Sequence, residues 1–347
     1  MWYNMHMRNY RLLVAATLFL AILCGAPADS MPTSRTRYAT DAYPGFDREE
    51  NIVLPGKKEP RWFHFWNGPK YDTPEEEFAY AESCRADGWW RAARRAYDAL
   101  VREWPTSPEA PKAQLALADL YLGHYQEYEN AFEEYRYLLD YYSSACDYDA
   151  IARRLYEVAK MMREEGKTII FFRFANTVDV RRAFEAVVFR APGASYAPEA
   201  MLTVAELREE DGEYEKAVTV YENLRNLHAG TSEADDALYR EGKARMIVLR
   251  EHEYNRQRCQ DTIDYLKMAM GGNVGGQARR DEMKAWLDEA QALVEEEAFA
   301  AAKFYDSRTR TKRSAINAYE RFLKEYPASV HANEALSRLA ELKSEEK

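Results

Sequence analysis

The chain has 347 residues, room for two ordinary domains or one elongated repeat array. Apolar residues make up 47% and charged residues 31% of it, well mixed, which provides for a packed interior and excludes a chain disordered throughout. A formal net charge of −10 argues against a nucleic-acid binder, whose surface must be basic.

The first stretch carries Arg8 and Arg11 and no acid, followed by an uncharged run from Leu12 to Leu23. As a helix this run would reach about 18 Å, against the roughly 30 Å of a bilayer's hydrocarbon core. It is expected to be an export signal rather than an anchor, and no second apolar run follows. Two processing sites compete. Ala21-Ile22-Leu23-Cys24-Gly25 resembles a bacterial lipobox, although Ala21 and Leu23 depart from the usual pattern; the signal would then be 1–23, with Cys24 acylated and holding the protein on a membrane face. Ala26-Pro27-Ala28 instead fits an ordinary signal peptidase and gives a signal of 1–28. The other cysteines, Cys84, Cys146 and Cys259, form no CxxC and read as small buried apolar residues in helices.

Residues 29–72 are rich in Ser, Thr, Pro, Gly and Asp and show no helical period, so they read as a flexible tether. An aromatic cluster, Trp62 to Trp66, interrupts it and is expected to pack on the first helices or to dock a partner.

From 73 to 345 the sequence is helical and repetitive. Thr73 is a candidate N-cap ahead of Pro74 and an acidic first turn. Small residues recur at offsets of three and five in the first helix of each pair: Ala110, Ala113 and Ala118; Ala197, Ala200 and Ala205; Ala234, Ala237 and Gly242; Ala332, Ala335 and Ala340. Ser107, Ser195, Thr231 or Ser232, and Ser329 are the cap candidates at these starts. Second helices carry an aromatic with apolar residues at helical spacing: Tyr97, Tyr135, Phe184, Tyr221 and Tyr319, with a degenerate copy at Ile263. Pro105, Pro192 and Pro327 follow three of them and set the turn to the next pair. Small residues on one helix let the other approach, and the aromatic fills the gap.

The pattern resembles the tetratricopeptide repeat. It predicts an all-α superhelical solenoid of about six helix pairs plus a closing helix near 330–344. Longer steps imply insertions at Lys167–Thr177, at Met270–Gly276 (read as a flexible loop), and as a long helix from about Gln277 to Tyr305. An export signal, a tether and repeats with aromatic-Pro-x-Ser-x-x-Ala-x-x-Ala junctions also resemble the BamD family of outer-membrane protein assembly factors, most closely over 302–342. That resemblance implies a periplasmic scaffold on the inner face of the outer membrane. Its partners would be the barrel assembly protein, unfolded barrel substrates, or both. The competing expectation is a soluble periplasmic adaptor for cell-wall or cell-division machinery.

No HExxH, HxH pair, GxSxG or GxGxxG occurs, so a non-catalytic protein without metal or cofactor is expected. Acidic runs such as Glu209-Glu210-Asp211 read as solvated helix faces. Arg308, Arg310, Lys312 and Arg313 cluster before the last second helix, either as a solvated loop or as a contact for an acidic partner. Ile169–Phe174, with five apolar residues in six, reads as a packed insertion or as an exposed peptide-binding edge.

Overall fold

The computed structural model describes residues 68–168, 173–251, 254–308 and 312–346. Every regular element among them is helical. Thirteen α-helices follow one another as six pairs and a closing helix. The pairs are α1 (Pro74–Ala86) with α2 (Trp90–Glu103), α3 (Ala110–Leu120) with α4 (Tyr128–Tyr141), α5 (Tyr148–Thr168) with α6 (Arg173–Arg190), α7 (Ala197–Glu210) with α8 (Tyr214–Leu227), α9 (Ser232–Glu251) with α10 (Arg256–Ala269), and α11 (Gln277–Arg308) with α12 (Lys312–Glu325). The closing helix is α13 (Ala332–Glu346). Each helix packs on the next, and α9 also touches α7 and α11. The fold is the predicted tetratricopeptide solenoid.

Thr73 caps α1, its side chain accepting from the Glu76 N–H at 3.4 Å. The last part of the predicted tether is fastened to this helix. The buried Glu77 carboxylate accepts from the Lys70 and Tyr71 amides at 2.7 and 2.9 Å. The aromatic cluster Trp62–Trp66 and the signal segment lie outside the described residues.

The junctions between pairs share one turn. The amides of Ser107, Ala194, Thr231 and Ser329 donate to the carbonyls of Trp104, Ala191, His228 and Tyr326, at 3.0–3.2 Å. Ser107 and Thr231 then cap the next helix through their side chains, to Ala110 N and Ala234 N, both at 3.2 Å. Ser195 does not play this part. Ala194 holds the register position, and the backbone alone closes that turn, its carbonyl accepting from Ala197 N at 3.0 Å. The Tyr142–Ala145 and His228–Thr231 turns form without a proline, so proline sharpens a stop that the hydrogen bonds already fix.

The packing logic is as the spacing predicts. Ala113, Ala118, Ala200, Ala205 and Ala237 are sealed, and so are the second-helix residues Tyr97, Tyr135, Phe184, Tyr221, Ile263 and Tyr319. A Cβ on Gly242 would sit 3.2 Å from Leu266 on α10 and 3.4 Å from Met283 on α11. That position is therefore where a first helix meets both its own partner and the next pair. Cys84 and Cys259 are buried in helices as expected, but half-buried Cys146 lies in the turn before α5. All three are free thiols.

Of the expected insertions, one lies partly outside the described residues and another takes a different form. Around Lys167–Thr177 the chain is helical on both sides, through Thr168 and from Arg173; residues 169–172, the middle of the apolar stretch Ile169–Phe174, lie outside the described residues. Met270–Gly276 is not a loose loop. Val274 is buried, Arg280 donates to the Met270 and Gly272 carbonyls at 2.7 and 2.9 Å, and Asn273 donates to Asp235 at 2.7 Å. A Cβ on Gly272 would lie 2.9 Å from a terminal methyl of Leu238 and 3.3 Å from the Ala269 carbonyl oxygen, so a larger residue would have to push Leu238 aside.

The predicted long helix is α11, and it changes the stacking. Its first half belongs to a core with α9 and α10 through Met283, Ala290 and Val294. Its second half belongs to a separate core with α12 and α13 through Phe299 and Ala302. Arg256, at the start of α10, lies 3.7 Å from Glu325, at the end of α12. The two second helices thus meet end to end along α11.

Candidate docking surfaces

Successive first helices are laced by ion pairs. Asp119 of α3 pairs with Arg154 of α5. Arg163 of α5 pairs with Glu206 of α7 at 2.6 Å, and Glu206 with Arg240 of α9 at 3.1 Å. Arg240 pairs in turn with Asp236 at 2.5 Å, which Arg279 of α11 meets at 2.6 Å. Arg250 and Glu289 join α9 to α11 at 2.7 Å, and Asp306 and Arg338 join α11 to α13 at the same distance. Arg338 beside it holds the Asp306 carboxyl below the usual carboxylate range. Two of these carboxylates also receive a second-helix tyrosine, Tyr135 donating to Asp119 and Tyr319 to Asp306 at 3.4 Å, and Tyr97 donates in the same way to Glu82 of α1 at 2.5 Å. Burial, then the Asp306 charge, pushes the Tyr319 hydroxyl up to about 12. The aromatic of the repeat is thus a wedge with a polar tip, a role its spacing alone does not reveal.

A second set of charges is internal. Arg208 and Glu185 are both buried and 2.9 Å apart. Arg181, also buried, reaches Asp211 at 3.2 Å and Glu213 at 3.0 Å. Burial pushes Glu213 up, but its bonds to Arg208 and Lys216 and the charge of Arg181 prevail and bring it down to about 2. Asp211 therefore belongs to an ion network, and Glu209 lies against buried Tyr221 with its own carboxyl raised by burial. Of the acidic run 209–211, Glu210 and Asp211 are exposed, as a solvated face would be, and Glu209 is half-buried.

The third feature is an aromatic notch between the α1–α2 turn and the end of α3. Gly88, Trp89, Trp90, Arg91, Ala92, His124 and Tyr125 line it. The turn requires Gly88, whose φ is +76°. Trp90 stacks on His124 at 4.5 Å, and Tyr125 meets His124 edge-on at 4.8 Å. A π-helical turn, Tyr121–Tyr125, follows α3 and delivers both residues. Trp89 is 62% exposed. No repeat position marks this notch, since it depends on the π turn.

Of the predicted basic contact, the side chains of Lys312 and Arg313 are described. Lys312 opens α12 and pairs with Glu345 of α13 at 3.0 Å, and Arg313 is exposed. Arg308 is the last residue of α11, its side chain outside the described set, and Arg310 lies outside the described residues, as does Cys24. Among the described residues no group of His, Cys, Asp and Glu could hold a metal ion, and no helix is long and apolar enough to cross a membrane.

A tetratricopeptide-repeat family profile matches residues 199–231, which span α7, α8 and the turn after them. No curated protein matches the chain. Among solved structures, a tetratricopeptide repeat protein from Parabacteroides merdae is similar at 14% identity, over 78% of this chain and 98% of that one, with a TM-score of 0.27. The C-terminal part of a repeat-containing protein from Cytophaga hutchinsonii is similar at 14% identity, over 77% and 89%, with a TM-score of 0.29. Neither superposition is close enough to carry an argument; the fold rests on the pairing of the helices and on the matched repeat. By both, the chain is a tetratricopeptide-repeat solenoid, a scaffold of the kind that binds other proteins.

Proposed function

We propose that this is a non-catalytic, exported scaffold for the assembly of outer-membrane β-barrel proteins, similar in role to the BamD family. The observation that carries the reading is the aromatic notch at the N-terminal end of the solenoid. Barrel strands bear girdles of aromatic side chains at both membrane interfaces. A notch of Trp89, Trp90, His124 and Tyr125 offers such side chains stacking partners while the strand is still unfolded. The basic stretch Arg308, Arg310, Lys312 and Arg313 is the proposed second contact, for an acidic patch of the barrel assembly protein. A lipid on Cys24 would place the scaffold at the periplasmic face of the outer membrane.

Crosslinked pull-down of the tagged protein from its own envelope is the test. Barrel assembly protein and barrel precursors should be recovered, and Trp89→Ala should deplete the precursors without unfolding the solenoid. Recovery of cell-wall or division proteins in their place would overturn the assembly role. That outcome belongs to the second reading, a soluble periplasmic adaptor, which the Ala26-Pro27-Ala28 motif favours. The mass of the mature N-terminus separates the two: an acylated Cys24 or cleavage after Ala28.

A further inference from the structure

Three rings of the aromatic notch hold one another. Trp90 stacks on His124, Tyr125 meets His124 edge-on, and the Arg94 guanidinium covers the Tyr125 ring at 5.4 Å. Trp89 stands beside them. Its amide donates to the Cys84 carbonyl at 2.8 Å, so the turn fixes its backbone, yet its side chain is largely exposed. Gly88, Arg91 and His124 are exposed as well. The notch encloses about 520 Å³, room for a large side chain. A preformed cleft beside an exposed indole suits an aromatic occupant.

The chain carries such an occupant a short way upstream. Trp62-Phe63-His64-Phe65-Trp66 has no acid and no permanent cation, and with Trp89 and Trp90 it accounts for four of the seven tryptophans. The segment lies outside the described residues, but the point from which it departs does not. The Lys70 and Tyr71 amides are tied to Glu77 in the first turn of α1, about 16 Å along the helix from Gly88. Trp62 precedes Lys70 by eight residues, a reach of about 26–29 Å when extended, so the segment spans that gap with chain to spare. Rings nearer the point of departure are engaged: Tyr71 leans on Tyr80, and the Lys70 ammonium lies over the Tyr80 ring at 4.0 Å. We propose that the notch is occupied in cis by the aromatic segment Trp62–Trp66, with one of its rings laid on Trp89. A ligand tethered this closely has an effective concentration in the millimolar range, so a contact that is weak between molecules is well populated within one. Where barrel strands use the notch, a consequence that rests on the assembly reading, the segment is a self-ligand that they must displace.

A benzophenone side chain in place of the exposed Arg91 tests the contact in the purified mature protein. Irradiation should link that position to the tryptic peptide Trp62–Lys70, equally at about 1 μM and about 100 μM, because the contact lies within one chain. Links only to other peptides overturn the proposal, and so do links to this peptide that vanish on dilution. In a variant with Trp62, Phe63, Phe65 and Trp66 all changed to Ser, a synthetic peptide of residues 57–70 should bind the vacated notch about tenfold or more tighter than it binds the parent. Equal binding to the two proteins, or none to the Ser variant, overturns it as well. Trp89→Ala, an exposed change, should cut both the link and the peptide binding at least about tenfold, with the helical circular dichroism unaltered. The link formed without barrel precursors in the envelope pull-down leaves this contact standing and sinks the assembly role; precursors recovered without the link do the reverse.

Discussion

Ala205 and Ala340 hold the same register position in two first helices, yet Ala205 is sealed and Ala340 faces water. What differs is the company: α8 and α9 close over Ala205, while no described helix follows α13. Ala205→Leu should therefore destabilise the protein by about 1–3 kcal/mol through overpacking. Ala340→Leu should stay within about 0.5 kcal/mol of the parent. Urea midpoints at constant m-value measure both. Glu213 supplies a second residue-scale prediction. Its folded pKa is lowered to about 2, so its contribution is present above its unfolded pKa, about 4.3, and is lost as pH falls through the folded value. The gap in urea midpoint between the parent and Glu213→Gln should be constant near neutrality and close progressively from about pH 4 toward pH 2. A gap that widens on acidification would reverse the assignment.

Between elements, the buried charges are more exacting than the surface ones. The first-helix ladder from Arg163 to Arg279 is partly exposed, and each of its pairs is worth about 1 kcal/mol or less. Arg208 and Glu185 are sealed. Arg208→Met should cost about 3 kcal/mol or more, because it leaves Glu185 buried with Arg181 as a distant partner at 3.9 Å. The tyrosine tips fall between these limits. Tyr97→Phe and Tyr135→Phe should each cost about 1 kcal/mol, and position 184 already tolerates Phe because no hydroxyl is used there. Chemical denaturation of the three variants ranks them, and a loss near zero in the two tyrosine variants would mean that their bonds to carboxylates contribute nothing.

At the scale of the molecule, stability in a solenoid is a sum of pair and neighbour terms. The core from α3 to α9 is continuous, whereas that of α12, α13 and the end of α11 is small and separate. Hydrogen exchange should show α12 and α13 opening before α4 to α9, with α11 protected in its first half and less so after Glu297. Uniform protection along the array would show instead that α11 couples the two cores into one cooperative unit.

The sequence by itself determined the repeat: which helices exist, how they pair, and which positions are sealed wherever a further pair stacks on them, as at Ala205 but not at Ala340. Those properties follow from local periodicity. Ala113, Ala118 and Tyr135 are small or aromatic because their contacts lie one helix away, in fixed register. Cap sites were legible at Thr73, Ser107 and Thr231; at Ser195 the register lies one residue earlier and the backbone closes the turn unaided, and the Ser329 hydroxyl accepts from His331, just ahead of α13. The tertiary structure alone decided what lies between repeats. The π turn after α3 forms the aromatic notch, and no spacing encodes it. The ion-pair ladder joins residues about thirty to forty positions apart, as in Arg163 with Glu206, so each looked like an ordinary solvated charge. The Met270–Gly276 loop is tied down by Arg280 and Asn273, which glycine content cannot reveal. α11 serves two cores because α10 begins near the middle of a helix twice the usual length, and a helix's own sequence states its apolar faces but not which neighbour will cover each of them.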